Sequence, residues 1–141
     1  MERARIDVWF MLLAFLGLGS LVNGAWMLLD AAGWFERVAS DVSPFNVHFV
    51  RDIGAAYLAS GVALLWAAWR PAWRLPLVAV AAIFHALHAV GHVRETASGE
   101  LSSFHWLEDL PGVYLPAIVM LVMVFVFRRP ALSTRPSEEP S

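Results

Sequence analysis

His85, His88 and His92 are the residues of this sequence best spaced to do chemistry together. At about 100° per residue, a helix places His88 near −60° and His92 near −20° from His85, with Glu95 near −80°. One stripe then carries three imidazoles and a carboxylate. A second set lies upstream, where His48 and Asp52 are four residues apart and touch on one helical face, with Arg51 beside them. Imidazole ligates zinc, copper, iron or nickel, and a carboxylate behind it fixes its tautomer. The metal-ligand set is therefore His48, His85, His88 and His92. Arg51, Asp52, Glu95 and Glu108 are the groups that would support it or relay protons. Two histidines on facing helices would instead hold a haem axially, and His85, near mid-membrane, is also placed for protons or a quinone.

Each residue also has a plainer reading. His92, Glu95 and His105 fit a wet interface, and His48, Arg51 and Asp52 fit an ion-pair network locking a loop to a helix. Buried histidines also serve as hydrogen-bonding glue between helices. Met120 and Met123 read as packing rather than copper ligands, and Asn23, Tyr57 and Tyr114 as hydrogen-bonding partners within a bundle. The sequence has no cysteine, which excludes disulfides, thiolate metal sites and thiol catalysis. It carries no nucleophile–base pattern, phosphate loop or zinc-protease motif, so no catalytic residue is assigned. A net charge of −2 gives no sign of a nucleic-acid partner.

The elements that must position these residues are membrane helices. Of 141 residues, 59% are hydrophobic and 16% charged, against about half and a quarter in a soluble domain. The apolar residues fall in four blocks, 8–29, 47–69, 75–93 and 110–127. Each is long enough, at about 1.5 Å per residue, to cross a ~30 Å hydrocarbon core. Backbone in lipid must satisfy its own hydrogen bonds, so the blocks are helices. The fold class is all-α: an integral membrane four-helix bundle over 1–129, followed by a Pro-, Ser- and Glu-rich disordered tail over 130–141. The first block is too long for a signal peptide and lacks a clear cleavage site, so it stays as a helix. Pro116 predicts a kink in the fourth helix.

Orientation follows from arginine. One side holds seven (3, 5, 70, 74, 128, 129 and 135) and the other three (37, 51 and 94), so both termini are placed in the cytoplasm. There is no lysine, and arginine with abundant alanine and tryptophan points to a GC-rich bacterial genome and a bacterial plasma membrane. Small residues mark close helix contacts: Ser20 with Gly24, Gly54 with Gly61, Ala55 with Ala59, and Ala82 with Ala86. His48, Arg51, Asp52, Ala55 and Ala59 share an arc of about 100°, which the alanines predict to face the bundle.

The run Phe15-Leu16-Gly17-Leu18-Gly19 with Asn23-Gly24, the helix start Arg51-Asp52-Ile53-Gly54-Ala55-Ala56-Tyr57-Leu58, and the order of third helix, acidic loop and fourth helix together resemble the DoxX-like group. These are small bacterial four-helix membrane proteins that include oxidoreductase subunits. The resemblance covers roughly the whole membrane domain and implies a redox or quinone setting. The functional expectation is a site lined by histidine and carboxylate, open to the outer face, that binds a transition metal (zinc, copper or iron) or relays protons. The alternatives are an accessory subunit that meets a membrane-protein partner or a second copy, and a haem- or quinone-binding redox subunit.

Overall fold

The computed structural model describes residues 7–40, 42 and 44–128. All regular structure among them is helical. Helix α1 (Val8–Leu29) starts at Asp7, whose carboxylate accepts the Phe10 N–H at 2.7 Å. Asp30 ends α1 and caps α2 (Ala31–Val38) by accepting the Gly33 N–H at 3.0 Å. Helix α3 (Val47–Trp69) is capped by Asn46, which accepts from the N–H groups of His48 and Phe49. A 3₁₀ turn, Pro71–Trp73, leads into α4 (Arg74–Ser98). Helix α4 stops at Gly99, whose φ of 80° is a left-handed conformation suited to glycine. Helix α5 (His105–Asp109) then runs through a π-helical turn, Leu110–Tyr114, into α6 (Leu115–Phe127).

Four of these segments are long and apolar enough to cross a membrane: Val8–Leu29, Val47–Trp69, Pro71–Ser98 and His105–Phe127. The chain is a multi-pass membrane protein. The third helix runs beyond residue 93 to Ser98, and the fourth span begins at His105 rather than at 110. Charges ended the apolar blocks in the sequence, but the backbone continues as helix past them. Pro116 falls in the first turn of α6, directly after the π turn. The irregularity thus precedes the proline, where its missing N–H costs least. Ser43, the tail, and Arg3, Arg5, Arg129 and Arg135 lie outside the described residues.

The helices pack in the order α1, α3, α4, α6. Helices α1 and α3 are antiparallel and meet backbone to backbone, because glycines fill the contact. A Cβ on Gly24 would stand 2.6 Å from the Gly54 carbonyl oxygen, and one on Gly61 would stand 2.8 Å from that of Gly17. Trp9 packs edge-on against Phe127 at 5.3 Å, so α1 begins at the end of the bundle where α6 finishes.

The bundle has two layers of core. At the end holding Trp9 and Phe127, Leu13, Leu64, Val78, Ala81, Met120 and Met123 form a closed apolar cluster. The two methionines belong to this packing. At the other end Met27, Ala31, Val50 and Tyr57 form a smaller cluster, which α2 covers through Trp34 and Phe35. Trp34 Nε1–H donates to Asn23 Oδ1 at 2.9 Å, which satisfies the one amide in α1 and pins α2 across the bundle end.

The predicted inward arc of α3 is corrected here. His48 is 86% exposed and Asp52 63% exposed at their side chains, and Arg51, Ala55 and Ala59 are exposed too. The buried face carries Gly54, Tyr57, Ser60, Gly61 and Leu64 instead. Glycine permits closer approach than alanine, so the glycine face takes the α1 contact and turns the alanine arc outward.

Candidate functional site

Helix α4 brings its histidines to the interior as a graded stripe. His85 is 2% exposed. Its Nε2 lies 3.2 Å from Ser60 Oγ on α3, and its Nδ1 is buried with no hydrogen-bond partner among the described residues. Tyr57, one turn from Ser60 on α3, sets its ring edge-on to both His85 (5.4 Å) and His88 (5.8 Å). Phe84, edge-on to Tyr57 at 5.2 Å, stacks on His88 at 6.1 Å. One turn further out, the His88 and His92 rings are 4.7 Å apart. His92 Nδ1–H donates to Asp109 Oδ2 at 2.8 Å, with the side chains 25% and 13% exposed. From Ser60 to Asp109 a hydrogen bond at each end and ring contacts between them make up the stripe, with Tyr57 edge-on to both His85 and His88. The path climbs about 10 Å along α4 from His85 to His92, at 1.5 Å per residue.

Asp109 closes this end of the stripe through its bond to His92. Sequence reasoning favoured Glu95 and Glu108 for this place. Glu108 instead has a half-exposed side chain 3.8 Å from His105. Glu95 is half-buried and accepts hydrogen bonds through its backbone carbonyl. Pro111 gave no signal for Asp109: proline at a first helical position would start the helix at 111 and leave Asp109 before it, whereas the helix starts at His105. His105, read as a wet-interface residue, is buried; Ser102 Oγ lies 3.2 Å from its Nδ1.

His48 stays away from this stripe. It pairs with Asp52 at 3.5 Å on the outward face of α3, as its spacing predicted, but makes no common centre with the α4 histidines. Among the described residues no three His, Asp or Glu side chains are disposed to hold a metal ion. The two buried histidines are His85 on α4 and His105 on α5.

The opposite end of the bundle is built differently. Arg74, 9% exposed, donates through both terminal nitrogens to Asp7, at 3.1 and 3.2 Å. This pair ties the start of α4 to the start of α1. The Arg74 guanidinium, with help from the Phe10 N–H, holds the Asp7 carboxyl below its ordinary value. A groove of about 370 Å³ lies beside it, between Trp9, Pro71, Leu75 and Phe127. The closed apolar cluster separates this end from His85.

A family model described as a domain of unknown function, DUF4345, matches residues 3–104. The chain belongs to the DUF4345 family. No curated protein and no solved structure matches it significantly. The DUF4345 match takes in α1, α3, α4 and the three stripe histidines, while Asp109 and α6 lie beyond it. It is not a match to the DoxX-like group. The glycines that carry that resemblance lie within the matched region, where Gly17, Gly24 and Gly54 make the α1–α3 contact.

Proposed function

We propose that this DUF4345 protein exchanges protons between one face of the membrane and its middle, along Asp109, His92, His88 and His85. The observation that carries this reading is the stripe from the 2.8 Å His92–Asp109 bond, through the His88 ring 4.7 Å from His92, to the buried Ser60–His85 pair, with Tyr57 edge-on to both His88 and His85. Ionisable groups in hydrocarbon are costly and mark proton or ion paths by default. Imidazole suits the task because one ring nitrogen can take a proton as the other gives one up. The path is one-sided. Toward the Trp9–Phe127 end the stripe meets the apolar cluster of Leu13, Leu64, Val78, Met120 and Met123, so protons would reach the middle of the bundle without crossing. On the arginine balance the open end would face outside the cell. The proton would then be used by a group that meets the bundle at mid-depth. A metal would need a donor beyond His88 and His92, and the outward turn of His48 weighs against that reading.

A second reading has its own support. The Ser60–His85 and His92–Asp109 bonds each join two helices, so the polar groups would serve as cross-braces in an accessory subunit. Cysteine scanning separates the two, since the chain has no cysteine of its own. In proteoliposomes, His92→Cys and His88→Cys should react with a membrane-impermeant thiol reagent added outside, and Ala81→Cys should not react from either side. Ser102→Cys should label from outside and Ala72→Cys from inside only. If His88→Cys is as inert as Ala81→Cys, the outer half is sealed and the cross-brace reading takes its place.

A further inference from the structure

The end of the bundle away from the histidine stripe holds a cavity that the proton path does not use. This groove of about 370 Å³ is walled by Trp9, Pro71, Ala72, Leu75 and Phe127, and Arg74 is the one charged residue that lines it. Trp9 and Phe127 meet edge-on at 5.3 Å, so α1 and α6 supply one side. The 3₁₀ turn and the first residues of α4 supply the other.

Arg74 is nine-tenths buried. Asp7 takes both of its terminal nitrogens, at 3.1 and 3.2 Å. Its Nε–H is buried too and has no hydrogen-bond partner among the described residues. A buried donor left unmade is costly, so this edge of the guanidinium calls for an acceptor. Charge says which kind. Among the described residues, Arg70, Arg74 and Arg128 stand at this end against the single carboxylate of Asp7, which leaves a positive surplus. Depth says where the acceptor comes from. Trp66, Trp69 and Trp73 are exposed at this end, and tryptophan gathers at the level of lipid head groups. The groove therefore sets apolar walls and an unmet arginine donor at the depth where lipid phosphates lie.

We propose that this groove binds the phosphate head group of an anionic phospholipid, with a phosphate oxygen accepting the Arg74 Nε–H and an acyl chain lying along Trp9, Leu75 and Phe127. Basic pockets between membrane helices take anionic head groups in this way. The bond to phosphate is charge-assisted, and arginine is the side chain best shaped to make it while a second edge stays on a carboxylate. The positive surplus favours a head group of net negative charge over a zwitterionic one. The proposal concerns the end of the bundle away from the stripe and does not depend on proton movement.

The test is thermal unfolding of the full chain in phosphatidylcholine nanodiscs with an increasing share of phosphatidylglycerol, at constant ionic strength. Tm should rise and saturate at a low share, because a ligand that binds only the folded state stabilises it by mass action. Inorganic phosphate and glycerol 3-phosphate, added to pure phosphatidylcholine nanodiscs, should not reproduce the rise. Native mass spectrometry of the wild-type protein gives a second readout that needs no variant, and should show one phosphatidylglycerol retained per chain in preference to phosphatidylcholine. Ala72→Trp fills the groove from an exposed position and leaves the Arg74–Asp7 pair in place. Arg74→Lys keeps a charge beside Asp7 but removes the Nε–H. Each should weaken the apparent affinity for phosphatidylglycerol at least fivefold, while Arg94→Gln, at the other end of α4, should leave it unchanged. Equal Tm in both lipids, a rise that inorganic phosphate reproduces, or full phosphatidylglycerol affinity in Ala72→Trp would each overturn the proposal.

Discussion

Replacing Gly24 by alanine tests the contact on which the bundle is built. The added Cβ would lie 2.6 Å from the Gly54 carbonyl oxygen and 2.9 Å from the Leu58 nitrogen. Both are backbone atoms and cannot rotate away. Opening the shorter gap to an ordinary contact of 3.4 Å parts α1 and α3 by about 0.8 Å at their crossing. Overpacking of this kind costs about 1–3 kcal/mol. Alanine also gains roughly 1 kcal/mol over glycine in a helix, so the net loss is smaller than the strain. Gly19 supplies the control, because its Cβ would meet nothing within 4 Å. Gly19→Ala shares the propensity gain without the clash, and the difference between the two variants isolates the strain at about 1–3 kcal/mol. Denaturant unfolding in mixed micelles, followed by tryptophan fluorescence, reads both. Equal stability of Gly24→Ala and Gly19→Ala would refute the backbone-to-backbone contact.

Two further outcomes follow from the polar pairs. Asp7→Ala should cost about 0.5–2 kcal/mol through the lost helix cap, and more through the stranded, buried Arg74. Asp7→Asn keeps a capping oxygen and isolates the charge. Pairing with Arg74 holds the Asp7 carboxyl below its ordinary value in the folded state, so the ion pair stabilises the fold above that ordinary value and the benefit fades as pH falls through the lowered one. Wild type and Asp7→Asn should therefore converge in Tm as pH drops below about 3.8 and differ near neutrality; a gap that is constant with pH would contradict the pairing. Asp109→Ala should destabilise by about 1.5–3 kcal/mol, the range for a hydrogen bond involving a charged group, in the same micelle unfolding assay, whereas Asp52→Ala, on the exposed face of α3, should cost well under 1 kcal/mol.

The four spans were legible because lipid imposes a length and a composition that few other structures need. The stripe of His85, His88 and His92 was legible for a similar reason, since helical spacing alone decides which residues share a face. Which way a face turns was harder. Ala55 and Ala59 and the pair Gly54 and Gly61 all read as small contact residues on α3, and only the fit against Gly17 and Gly24 decides in favour of the glycines. Asp109 was hidden because charges marked the end of the apolar block. Its helix continues past them, and its carboxylate is engaged by a histidine seventeen residues upstream. The π turn left no pattern beyond Pro111 and Gly112.

In the proposed path His85, although buried, exchanges protons with the outer face through its neighbours. Imidazole nitrogen NMR of histidine-labelled protein in nanodiscs measures this directly, as the exchange rate of the His85 ring N–H with water. Exchange should be fast in wild type and slower by at least tenfold in His92→Phe, which keeps a ring in the stripe but carries no proton. A His85 N–H protected for hours in wild type, or exchanging equally fast in His92→Phe, would contradict it.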